Sequence, residues 1–237
     1  MIDINRHKFF MVQILKDIYT DIELSNWLGF KGGTALMFFF DLPRFSIDLD
    51  FNLLNIGSED VVYRKIRKIL LKYGTIFDEA KKFYGPLIVL DYGVNERKLK
   101  VEISTRMFEN RYEIKNLLGI NVKVMVKEDL FAHKLCALLD RNVVTNRDIF
   151  DCWFFMQKQT PINKGIVESR MEMTLAEHLQ KCIEQLESMS DKGLLQGMGE
   201  LMDNKMKTFV RNKLRTEVIG LLKFYKSFPI LSINDKG

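Results

Sequence analysis

The sequence predicts a mixed α/β (α+β) protein: strands interleaved with helices to about residue 126, then helices alone. Three observations carry this. Segments such as "FSIDLDFN" (45–52) and "KLKVEIS" (98–104) repeat the two-residue period of a half-buried strand. Amphipathic stretches with the helical period lie between such segments. From Lys127 onward only the helical period persists. The 237 residues suffice for one large domain or two modest ones. The change of character divides them into 1–126, a mixed sheet flanked by helices, and 127–237, a helical domain completing a cleft. No Gly/Ser-rich linker separates the halves.

Taken in order, residues 5–18 have apolar spacing that fits a helix, and 21–28 form a second, shorter one. Phe30–Lys31 leads into Gly32–Gly33, and Thr34 opens an apolar helix that runs to about Phe40 and is closed off by Pro43. Over 45–52, Phe45, Ile47, Leu49 and Phe51 share one face, and Ser46, Asp48 and Asp50 share the other. Residues 58–73 read as a basic amphipathic helix. Strands follow at about 76–84, 87–93, 98–104 and 120–126, then helices at about 127–139, 146–158, 174–188 and 204–226.

Composition narrows the function classes. Apolar residues make up 47% of the chain, which excludes intrinsic disorder. The net charge of +5 permits a polyanionic partner without requiring one. Cys136, Cys152 and Cys182 are odd in number and lack metal-ligand spacing, as expected of buried thiols in a reducing compartment. The N-terminal segment has no signal-peptide core, and no apolar run is long enough to span a bilayer. The expectation is a cytoplasmic protein with no membrane partner. His7, His133 and His178 have no ligand partner at helical spacing and read as packing or surface residues.

The chemistry concentrates in residues 30–51. Asp is depleted in strands and costly to bury, yet Asp48 and Asp50 occupy positions i and i+2. Such side chains project together with Cα atoms roughly 6.5–7 Å apart. Two carboxylates at that spacing call for a cation, and Mg²⁺ commonly takes one or two carboxylates plus substrate phosphates. A pair of Mg²⁺ ions could clamp the attacking and leaving oxygens of an in-line displacement. Upstream, Gly32–Gly33–Thr34 would let the backbone approach a polyphosphate at a helix N-terminus, and Lys31 could neutralise phosphate charge. The Walker A spacing is absent. Glu102, in "LKVEIST", alternates with Val101 and Ile103, and strand logic makes it a third metal ligand or a general base if its strand neighbours 45–52. Arg147, Asp148 and Asp151 open a helix, where acids also serve as caps. Two basic stretches, 64–72 and 205–226, could track nucleic-acid phosphates or be solvated helix faces.

The blocks "KGGTAL", "RFSIDLDF", "KEDLFAHKLCALLDR" and "RDIFD", in this order over about residues 30–155, resemble the AbiEii/AbiGii-type nucleotidyltransferase toxins. These are a branch of the DNA polymerase β-like nucleotidyltransferase superfamily. The resemblance implies a nucleotidyltransferase-like sheet domain and Mg²⁺-dependent transfer of an NMP from an NTP, with pyrophosphate leaving. It also implies a toxin paired with a cognate antitoxin protein, and an RNA acceptor, foremost the 3′ end of a tRNA. Carried over, Gly32 and Gly33 match the phosphate-contacting turn, Asp48 and Asp50 the metal pair, and Lys31 and Ser46 polar companions of that strand. Lys134 matches a lysine expected near the triphosphate. Arg147, Asp148 and Asp151 match the RDxxD block, with Asp148 the acid most expected to affect activity. Arg44 and Arg141 fit the pattern as nucleotide-binding residues. Two alternatives stay open: a protein or small-molecule hydroxyl as acceptor, and a non-catalytic nucleotide- or nucleic-acid-binding protein on the same scaffold.

Overall fold

The computed structural model describes residues 3–94, 96–140, 145–190, 195, 198 and 202–232. The chain forms two compact units, Met1–Met107 with Tyr112–Met125, and Phe108–Arg111 with Val126–Gly237.

The first unit contains α1 (Ile4–Thr20), α2 (Ile22–Trp27), β1 (Leu28–Lys31), α3 (Gly32–Phe39), β2 (Leu49–Leu53) and α4 (Glu59–Leu70). These are followed by β3 (Thr75–Lys82), β4 (Gly85–Asp91), β5 (Leu99–Ser104), β6 (Tyr112–Leu117) and β7 (Ile120–Met125). The seven strands form one mixed sheet in the order β3-β4-β5-β2-β1-β7-β6. β2 runs parallel to β5 and β1 parallel to β7, while the other pairs are antiparallel. Local signals start the first helices: the Asp3 carboxylate accepts from the Arg6 amide, and Asp21 accepts from the amides of Glu23 and Leu24.

One face of the sheet carries the core. Leu28, Phe30, Leu49, Phe51, Val101, Ile103, Val122 and Val124 are buried there with Met11, Ile14, Leu15 and Ile18 of α1 and Val62, Ile66 and Leu70 of α4. Because strand side chains alternate, the intervening residues of the central strands, among them Lys31, Asp50, Asn52 and Glu102, project from the opposite face. Hydrophobic burial on one side thereby sets which polar groups gather on the other.

Two strands escape the sequence patterns. β1 is four residues long, too short to display a period. β6 is an edge strand whose hairpin to β7 turns through Leu118 and Gly119, both with positive φ, in place of the usual Asn-Gly pair. The stretch 45–48, expected to be strand, lies outside the ladder, and β2 begins at Leu49. Side chains take up the backbone carbonyls of this stretch instead: Arg44 donates to Phe45, His7 bonds to Ile47 and Thr34 donates to Asp48.

The second unit contains α5 (Lys127–Ala137), α6 (Asn146–Gln157), α7 (Lys164–Met171), α8 (Leu175–Ser188), α9 (Asn204–Asn212) and α10 (Leu214–Ser227). α7 carries no clear apolar stripe and was not expected; its start is capped by Asn163, whose side chain accepts from the Ile166 amide. The single helix expected over 204–226 is divided at Lys213, whose backbone leaves the helical region at φ −133°. α10 packs on α6 and α8, and α5 on α6 and α7. Phe131 of α5 stacks on Phe155 of α6 with centroids 5.0 Å apart, and Tyr225 of α10 meets Phe131 edge-on. Cys136, Cys152 and Cys182 are buried free thiols. No helix among the described residues is long and apolar enough to cross a membrane.

Candidate active site

The polar face of the sheet centres on three adjacent strands. β1 places Lys31 opposite Asp50, and β5, on the other side of β2, places Glu102 opposite Asp50. Lys31, Asp50 and Glu102 therefore form one row across the sheet. Lys100, two residues before Glu102, lies with its ammonium 3.5 Å from an Asp48 carboxylate oxygen and 3.6 Å from a Glu102 oxygen. This arrangement depends on β5 lying parallel beside β2, a pairing across about fifty residues of chain.

The electrostatics follow from the crowding. Burial, and then the neighbouring Asp48 carboxylate, push the Asp50 carboxyl above the ordinary carboxylate range; Lys100 and Lys31 pull the other way, while Glu102 adds to the push. Burial works against the charge on Lys100, but Asp48, Asp50 and Glu102 outweigh it and hold the ammonium above its ordinary range. Asp50 is thus crowded by negative charge, and Lys100 and Lys31 offset part of it. Asp48, Asp50 and Glu102 do not converge on one point as a ready trio. Among the described residues, no group of three His, Cys, Asp or Glu side chains could hold a metal ion by itself.

The glycine turn faces these acids. Gly32 opens α3 at φ +79°, a conformation that favours glycine, and a Cβ there would run into the Asp50 carboxylate. A Cβ on Gly33 would crowd the Ser46 hydroxyl and the Arg44 guanidinium, at 2.8 and 3.0 Å. Lys31, at the N-cap position, makes no side-chain cap to α3. Thr34 is buried; its hydroxyl bonds to Ser46 Oγ at 3.0 Å and to the Asp48 carbonyl. Arg44 and Ser46 are buried too. Lys31, Gly32, Gly33, Thr34, Arg44, Ser46, Asp48, Asp50 and Glu102 are thus all found in the first unit around the polar face and its glycine turn.

The second unit gathers another cluster. Lys134 on α5 stands 3.0 Å from an Asp148 oxygen and 2.8 Å from an Asp151 oxygen on α6, and both acids are buried. Asp148 and Asp151 are one turn apart and so share a face of α6. Thr145 caps that helix, accepting from the Asp148 amide, and its hydroxyl donates to the Asp148 carboxylate at 2.6 Å. Arg147 is half-buried in the same first turn. Arg141 lies outside the described residues.

One member of the first cluster went unnoticed in the sequence. Lys100 precedes Glu102 by two positions in "KLKVEIS", so the alternation that placed Glu102 on the polar face places Lys100 there as well.

Known proteins share this architecture. MenT4, a nucleotidyltransferase toxin from Mycobacterium tuberculosis H37Rv, superimposes with a TM-score of 0.65 at 18% identity, over 93% of this chain and 84% of that one. JHP933 from Helicobacter pylori superimposes with a TM-score of 0.61 at 19% identity, over 94% of this chain and 92% of that one. At such identities the likeness is one of fold. No curated protein matches the chain. The family profile described as "Nucleotidyl transferase AbiEii toxin, Type IV TA system" matches residues 13–218. That match runs from α1 into α10 and takes in residues of both units, so the chain belongs to the AbiEii family of nucleotidyl transferase toxins.

Proposed function

We propose that this nucleotidyltransferase toxin transfers an NMP from a magnesium-bound NTP to the 3′ end of an RNA, foremost a tRNA, inside the cytoplasm of a cell that holds a cognate antitoxin. The observation that carries the reading is the close approach of the Asp50 carboxylate to Gly32, which sets an acid crowded by other carboxylates directly against the glycine turn.

The residues present fit a divalent ion. Asp48 and Asp50 offer hard oxygen donors on one face, and the remaining coordination positions fall to water and substrate phosphates, as Mg²⁺ prefers. When bound, the metal would neutralise charge on the reacting phosphate and the departing pyrophosphate. The chain's own residues do the rest. The first amides of α3, reached over Gly32 and Gly33, orient the phosphates, and Lys31 adds a positive charge beside them. Arg44 and Ser46, packed against Gly33, hold the turn in shape. Glu102, in register with Asp50, accepts the proton of an incoming hydroxyl or supplements the acid pair. Lys134, with Asp148 and Asp151, is assigned a functional role within the helical unit.

Support for an RNA acceptor rests on free cationic surface, and here the two basic stretches differ. On α4, Lys65 pairs with Asp21 and Glu23, and Arg67 with Glu79; Lys72, just beyond the helix, pairs with Asp17. Much of that stretch is therefore neutralised within the protein. α9 carries Lys205, Lys207 and Arg211 with no acid along its length, and Lys213 follows, which favours α9 as the phosphate-tracking element.

Incubating the protein with Mg²⁺, total RNA and each labelled NTP in turn tests the proposal. Labelled 3′ ends from the wild type, and a loss of at least about a hundredfold in Asp48→Ala, are expected, since removal of one strong electrostatic contact to the reacting group costs rates of that order. Label on protein or on a small molecule would redirect the acceptor assignment. No label on any acceptor with all four nucleotides would overturn it.

A further inference from the structure

Asp48 is the one acid of the pair that the sheet does not hold. The ladder of β2 begins at Leu49, so the peptide that enters Asp48 lies outside it. Side chains tie the peptides on both sides of Asp48. The carbonyl of Ile47, in the peptide that enters Asp48, lies 2.8 Å from Nε2 of His7. The carbonyl of Asp48, in the peptide that leaves it, accepts from the Thr34 hydroxyl. His7 comes from α1, forty residues upstream, and is fully buried.

The partners of the imidazole define its state. A carbonyl oxygen only accepts, so Nε2 carries the proton and donates to Ile47. Nδ1 then has a lone pair and receives the hydroxyl proton of Tyr92, which is itself buried. Phe45 and Tyr92 contact the ring edge-on with centroids 6.0 and 5.5 Å away. Burial, against smaller opposing effects, lowers the His7 pKa below the ordinary value of 6.5, in keeping with a neutral ring. The result is a chain of fixed direction: Tyr92 to His7, His7 to the Ile47 carbonyl, and from there the backbone into Asp48.

We propose that His7 is a positioning residue for Asp48, fixing the Ile47–Asp48 peptide so that the carboxylate is held ready for its divalent cation before nucleotide arrives. This rests on the reading of Asp48 as a metal ligand. It assigns to a histidine on the opposite, core side of the unit a function that a packing residue would not have. Groups that orient a ligand from behind typically alter metal affinity by about 10–100-fold when removed.

The test compares four variants, three at His7 and Asp48→Ala, with the wild type by electron paramagnetic resonance titration of Mn²⁺ with and without a non-hydrolysable NTP analogue. Thermal melting of the same samples runs alongside. In His7→Gln the amide nitrogen reaches the Nε2 position and can still donate to Ile47. In His7→Asn the shorter amide reaches only the Nδ1 position, and in His7→Leu no donor remains. The expected result is Mn²⁺ affinity within about twofold of wild type for Gln, and a weakening of about tenfold or more for Asn and Leu. Recovery of affinity by Gln but not Asn, with Asn still folded at the assay temperature in the parallel melt, separates positioning from loss of the fold. Should the Leu variant fail to fold, the Gln–Asn pair still decides. Equal affinity in wild type and Asn would overturn the role of His7 alone, and an Asn-sized loss in Gln would do the same. A wild type that binds no Mn²⁺, and is indistinguishable from Asp48→Ala, would overturn the metal reading of Asp48 and this inference with it.

Discussion

Gly32 shows how much a single position carries. Its φ of +79° would strain any side-chain-bearing residue by about 1–3 kcal/mol. The nearer obstacle is the Asp50 carboxylate, which a Cβ would displace. Gly32→Ala is therefore expected to lower the urea midpoint modestly and to abolish nucleotide labelling, with activity lost far out of proportion to stability. An equilibrium melt and the labelling assay on the same preparation check this; full activity in the Ala variant would refute the close approach of turn and acid. The residues of this turn were legible in the sequence because glycine and paired aspartates are unusual beside an apolar strand. Lys100 was not singled out, since one lysine among many in the chain acquires meaning only from what stands beside it.

At the scale of the element, α5 and α6 are joined through Lys134. Its ammonium lies between two buried acids, Asp148 and Asp151. Breaking a buried pair from one side costs roughly 3–5 kcal/mol. Lys134→Met should lower unfolding free energy by an amount in that range, and Asp151→Asn introduced on top should restore part of it. A denaturation cycle over the two single variants and the double variant measures the coupling; strict additivity would show that the pair contributes nothing as a pair. Periodicity announced both helices. It could not announce that three of their side chains form one network, because the 3.6-residue repeat reports which face is buried and not which partner that face meets.

For the whole molecule, each unit buries one imidazole whose pKa is lowered by loss of solvent: His7 in the sheet unit and His178 in the helical one. His178 bonds through Nε2 to the Leu135 carbonyl at 3.0 Å, and Nδ1 finds no partner among the described residues. A lowered folded-state pKa means that the unfolded chain binds more protons once the pH falls below about 6.5. Stability is therefore fully present above that value and declines as the pH drops through the histidine range. Urea midpoints at pH 7.5 and 5.5 should show the decline in the wild type, and a His7→Gln, His178→Gln double variant should show a shallower one. An unchanged slope would place the acid sensitivity elsewhere.

What the sequence by itself determined was local: the alternating strands, the amphipathic helices, the glycine turn before α3, the aspartate pair and the passage at residue 126 from mixed to helical structure. Each is written in the side chains of a few consecutive residues, where period and steric allowance leave little choice. The tertiary structure decided what lies beside what. It set β5 against β2, so that Glu102 and Lys100 face Asp50 and Asp48, took residues 45–48 out of the ladder, and brought His7 from the first helix to the backbone behind Asp48. The physical reason is that strand order and helix docking follow from burying one face of a whole sheet at once. That sum runs over residues tens of positions apart, and no local pattern records its outcome.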